Sequence, residues 1–127
     1  MSEIDIRVLI VDDDPSAYTF VNYLLGRAFS RIHIDWVNDL EKGRDALLAN
    51  QYDVYLVDYI MGSGGEDGVS LLRLAREAGV DAPMLLMTAY GSYETDLEAM
   101  HLGAMDFLDK KSLTTELLER SIRYAIK

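Results

Sequence analysis

The chain has no cysteine, which excludes disulfides, thiolate metal sites and cysteine nucleophiles. Only two prolines interrupt its 127 residues, so long stretches are free to form regular structure. Basic residues are scarce, 12 against 22 acidic ones, for a net charge of -10 and a pI near 4.5. That balance argues against a bare nucleic-acid or anionic-membrane surface. No apolar run reaches the length needed to span a bilayer, and the acidic start Met-Ser-Glu-Ile-Asp lacks the pattern of a signal peptide. A cytoplasmic protein is expected. Half of the residues are hydrophobic, enough for a real core and too many for a disordered chain.

What is present is a fivefold alternation of short β-rich runs with longer helical stretches. Strands are expected near 6–11, 32–37, 54–58, 83–88 and 105–109, and helices near 15–29, 40–50, 68–79, 92–103 and 113–126. Regular βα alternation gives a parallel sheet with helices on both faces, here one domain over 1–127. The runs at 8–11, 54–57 and 84–87 are continuously apolar, as in strands covered on both sides. Ile32-His33-Ile34-Asp35-Trp36-Val37 largely alternates, and Asp106 interrupts the last strand, so these two read as edges. The order 2-1-3-4-5 of a flavodoxin-like, doubly wound fold follows, with its crevice between the first and third strands. Asp14-Pro15 reads as an N-cap and first helical residue, and Gly79 and Gly103 as left-handed helix ends.

Chemistry-bearing residues stand where strands end. Asp12, Asp13 and Asp14 follow the first run, Asp58 the third, Thr88 the fourth and Lys110 the fifth. Gathered carboxylates repel and are costly to desolvate, so the cluster implies a bound cation. Carboxylates, a backbone carbonyl and waters describe a magnesium site. Asp14 is accounted for by its cap. An aspartate beside Mg2+, with a lysine and a hydroxyl in reach, suits phosphoryl transfer through an aspartyl phosphate.

These residues resemble the receiver (phosphoacceptor) domain of two-component response regulators. The likeness rests on Val-Asp-Asp-Asp-Pro at 11–15, Tyr-Asp-Val-Tyr-Leu-Val-Asp at 52–58, Asp-Gly at 67–68, Met-Thr-Ala at 87–89 and Gly-Ala-Met-Asp-Phe-Leu-Asp-Lys at 103–110. It implies that Asp58 is the phosphoacceptor, and that Asp13, Asp58 and the Ile60 carbonyl ligate Mg2+, with Asp12 acting largely through water. Thr88 would be the switch hydroxyl, Lys110 the phosphate-binding lysine and Phe107 the switch aromatic. A histidine kinase or histidine phosphotransfer protein would be the donor. The face formed by the fourth helix, fifth strand and fifth helix would serve a homodimer or output contact. The resemblance implies neither a nucleic-acid nor a membrane partner, and a switch without an external metabolic substrate.

This chain departs from the family in Gly62 where proline is usual, in a 62–66 loop about two residues longer, and in Lys111 where proline commonly follows the lysine. Ile60 and Tyr90 would flank the acceptor and shield it from water. The rival readings are a haloacid-dehalogenase-type phosphatase, whose first motif Asp12-x-Asp14 imitates, and a pseudo-receiver that is never phosphorylated. A flavin-binding domain is a further alternative, but no hydroxyl-rich phosphate loop follows the first strand. Met84, Met87, Met100 and Met105 read as core filling, and His33 and His101 as non-catalytic.

Overall fold

The computed structural model describes residues 2–59, 67–89 and 106–127. The expected helix 92–103, its Gly103 cap, the 62–66 loop, Ile60, Tyr90, Met100, His101 and Met105 lie outside them. Strand β1 (Ser2–Val11) leads into α1 (Pro15–Ala28), β2 (Phe29–Val37), α2 (Leu40–Ala49), β3 (Val54–Asp58) and α3 (Asp67–Glu77). Strands β4 (Met84–Thr88) and β5 (Asp106–Asp109), a 3-10 turn (Lys110–Ser112) and a C-terminal helix (Thr115–Ile126) complete the described chain. The sheet is parallel in every described pairing, with order β2-β1-β3-β4-β5.

Period-two alternation along the inner strands feeds two cores. Ile6, Val8, Ile10, Val54, Leu56, Leu85 and Met87 meet α1 and the C-terminal helix through Leu25, Leu118 and Ile122. Leu9, Val11, Tyr55, Val57, Met84 and Leu86 face α2 and α3 through Leu47, Val69 and Leu72. Strands buried on both faces must be apolar at every position, which is why the inner runs do not alternate.

Several boundaries differ from expectation, most of all at the start of β1 and at the junction of α1 with β2. Helix α1 stops at Ala28, because Phe29 turns to φ -132° and ψ 135° and pairs with Ser2. Both β1 and β2 are therefore longer than the apolar runs that announced them. Asp14 caps α1 as expected, its Oδ1 accepting from Ser16 N at 2.9 Å. Gly79 sits at φ 79°, and Asn50, unnoticed in the sequence, ends α2 at φ 54°.

One core hydroxyl is poorly satisfied. That of Tyr55 is enclosed without a well-formed hydrogen bond among the described residues, and burial raises it against the weaker opposing pull of the Tyr52 backbone. Tyr55→Phe is expected to raise stability by up to about 1 kcal/mol, since an unsatisfied buried hydroxyl costs roughly that much. Urea unfolding at neutral pH checks this.

Candidate phosphoryl-transfer and metal site

Register carries the polar residues to one edge of the sheet. Val11 pairs with Val57, so Asp12 and Asp58 leave adjacent strand ends together. Asp58 pairs with Met87, and Thr88 with Asp109, which places Thr88 and Lys110 beside them. Asp12 is fully buried, Asp58 is 7% exposed and Thr88 3%, while Asp13 faces solvent.

Asp12, Asp13 and Asp58 each present a carboxylate oxygen, all within 4.8 Å of one another. Lys110 Nζ lies 2.8 Å from Asp12 Oδ2 and 3.2 Å from Asp58 Oδ1. Asp12 Oδ2 is enclosed and, among the described residues, has no donor other than this ammonium, whereas Oδ1 accepts from Asp14 N at 3.0 Å. Burial, then the Asp12 carboxylate, push the Asp58 carboxyl up to about 6 against the opposing pull of Lys110; Asp13 adds to the rise. Burial alone would lower the Lys110 ammonium. The hydrogen bond and charge of Asp12, followed by those of Asp58, outweigh it and hold the lysine above its ordinary value.

The sequence of strand-end groups and this geometry have a counterpart among known proteins. A family profile described as the response regulator receiver domain matches residues 8–122. The chain belongs to that family. The receiver domain is 32% identical over 115 residues to the transcriptional regulatory protein QseB of Escherichia coli O157:H7, covering 90% of this chain and 50% of that protein. It is 31% identical over 122 residues to the transcriptional regulatory protein FixJ of Bradyrhizobium diazoefficiens, covering 94% and 58%. The chain thus spans about half the length of these relatives. Among solved structures, the signal receiver domain of NarL from Mycobacterium tuberculosis superposes with TM-score 0.82 at 24% identity, covering 95% of this chain and 96% of that one. A Francisella response regulator receiver domain gives 0.81 at 24%, covering 96% and 97%. These two likenesses concern the fold.

The donor set of the receiver domain fits a magnesium ion. Three hard oxygen ligands converge, and the exposure of Asp13 leaves room for the waters that magnesium retains. An excess of negative charge remains after Lys110 is counted, which a divalent cation would neutralise. The phosphatase reading loses its imitation of a first motif, because the Asp14 carboxylate is occupied in capping α1.

The structure adds contacts to residues that the sequence had singled out. Lys111 donates its N–H to Asp109 Oδ1 at 2.9 Å and so closes the turn that presents Lys110. Phe107 is half-buried with its ring 5.9 Å from that of Tyr59, the residue after Asp58. Gly68 was visible only as part of a motif, and the structure supplies its reason. Its N–H donates to Tyr59 O at 2.9 Å, and a Cβ there would press on the Asp58 carbonyl oxygen and stand 2.9 Å from Tyr59 Cα. Gly68→Ala is expected to cost about 1–3 kcal/mol, the range for overpacking against groups that cannot yield. Chemical denaturation would show this as a lowered midpoint with an unchanged slope.

Proposed function

We propose that this domain accepts a phosphoryl group on Asp58 from a phosphohistidine donor and passes the event on as a change of conformation. The observation that carries the reading is the meeting of Asp58 with Lys110 at 3.2 Å beside the carboxylates of Asp12 and Asp13. In this reading a carboxylate oxygen of Asp58 attacks phosphorus as the bond to the donor imidazole nitrogen breaks. Asp12, Asp13, Asp58 and the Ile60 carbonyl would hold Mg2+, which supplies charge neutralisation at the phosphoryl oxygens. Lys110 holds a proton-bearing nitrogen against the same oxygens. The Thr88 hydroxyl turns toward the new phosphoryl group, and Phe107, lacking a hydroxyl, follows by packing. Phosphorylation then shifts a population between two packings by the contacts it adds.

The 127 residues would form one such domain, cytoplasmic and without an external metabolic substrate, its only reactions being its own labelling and dephosphorylation. No described helix is long and apolar enough to cross a membrane, and the net charge of -10 disfavours direct contact with nucleic acid. Histidine kinases or phosphotransfer proteins would supply the phosphoryl group. A homodimer would form through the fifth strand and C-terminal helix, where Tyr124 is 69% exposed. Incubation with acetyl phosphate and Mg2+, followed by intact mass, tests the core of the reading. Wild type gains one phosphoryl group; Asp58→Asn gains none, nor does wild type in excess EDTA. Labelling of Asp58→Asn to the wild-type level would remove Asp58 from the role.

A further inference from the structure

We propose that Trp36 is a positioning residue for the metal-binding turn, setting the direction of the Asp13 carboxylate through the backbone of Asp12. The inference rests on the magnesium reading of the site and adds a residue to it.

Beyond Val11 the chain leaves β1, and among the described residues the Asp12–Asp13 peptide has no strand partner to hold its carbonyl. Trp36 provides one. Its indole Nε1 donates to Asp12 O at 2.7 Å, reaching across from the end of β2. The donor is itself fixed, for its ring stacks on Tyr18 of α1 at 4.3 Å and an interplanar angle of 5°. Tyr18 in turn donates its N–H to Asp14 O at 3.1 Å, while Asp12 N donates to Val37 O at 3.1 Å. The acidic turn is thus held from β2 on one side and from α1 on the other.

A peptide unit is planar and resists rotation, so fixing a carbonyl fixes the N–Cα bond that follows. Anchoring Asp12 O therefore restrains the start of Asp13, whose side chain lies in solvent. Without the indole donor, Asp13 would search more orientations, and binding a cation would cost that lost freedom.

The test removes the N–H alone, by replacing Trp36 with the isosteric benzothienylalanine, and measures Mg2+ affinity by calorimetry. Loss of one net hydrogen bond predicts a Kd raised roughly three- to tenfold. Labelling by acetyl phosphate should need proportionately more Mg2+ yet reach the wild-type rate at saturation. Ile34→Val, which trims the same strand away from the site, controls for lost stability and should leave Kd unchanged. A Kd indistinguishable from wild type overturns the proposal, whether or not thermal stability falls. Absence of Mg2+ uptake by the wild-type chain would instead remove the reading on which it rests.

Discussion

Lys110→Met is expected to destabilise the metal-free domain by about 3 kcal/mol, near the low end for breaking a buried ion pair by removing one partner. The Lys110 side chain is 17% exposed and its ammonium contacts both Asp12 and Asp58, the first of which has no access to water. Methionine fills similar volume, so the loss isolates charge rather than packing. The fold has one way to relieve the strain. With the lowering influence of Lys110 gone, Asp58 is pushed further up and takes a proton at neutral pH, which caps the cost. The deficit should therefore shrink as pH falls from 8 toward 6. Saturating Mg2+ should also recover much of it, because a divalent ion supplies the missing positive charge. Urea titrations of both proteins, with and without Mg2+, give all four numbers. A deficit that Mg2+ leaves untouched would contradict the view that the fold lacks positive charge at this point.

The substitution Asp58→Asn should move stability the other way. The folded carboxyl is pushed up to about 6 from an ordinary value of 3.8, so between those values the native state binds more protons than the unfolded chain. Stability then falls as pH rises through that window and stays low above it. A carboxylate at 58 is thus most costly to the metal-free fold at neutral pH. Asparagine keeps the shape without the charge, for an expected gain of about 1–3 kcal/mol at pH 7, at roughly 1.4 kcal/mol for each tenfold change in proton affinity. The gain should fade toward pH 4, where the wild-type group is protonated as well. Mg2+ reverses the ranking, since ligand that binds only the native state stabilises wild type and has lost one of its carboxylates in the variant. Thermal melts across pH 4 to 8 would show the two curves converging at the acidic end. Parallel curves would mean that Asp58 is not strained in the fold.

The same acidic residues that strain the metal-free protein are those most legible in the sequence. Continuous apolar runs at 8–11, 54–57 and 84–87 announced the inner strands, and the alternating 32–37 run announced an edge. Strand order followed, and with it the meeting of Asp12, Asp58, Thr88 and Lys110, because all four stand at strand ends in a parallel sheet. What stayed hidden depends on contacts between distant residues with no local pattern. The Trp36 indole reaches Asp12 from 24 positions away, and nothing in an alternating strand distinguishes a donor from a core aromatic. Gly68 matters because the backbone of another segment passes over it, which spacing cannot show. Boundaries failed where an element continued through mixed residues: Phe29 reads as the end of a helix and Ser30-Arg31 as a connection, yet pairing with β1 draws all three into β2.

Calorimetric titration of Mg2+ into the wild-type chain and into Asp13→Asn/Asp58→Asn addresses the centre of the account. One ion per wild-type chain is predicted, with proton release that grows as pH is lowered toward 6, and no measurable binding by the double variant. Equal uptake by both proteins would place the ion elsewhere, and the convergence of these carboxylates would no longer explain the site.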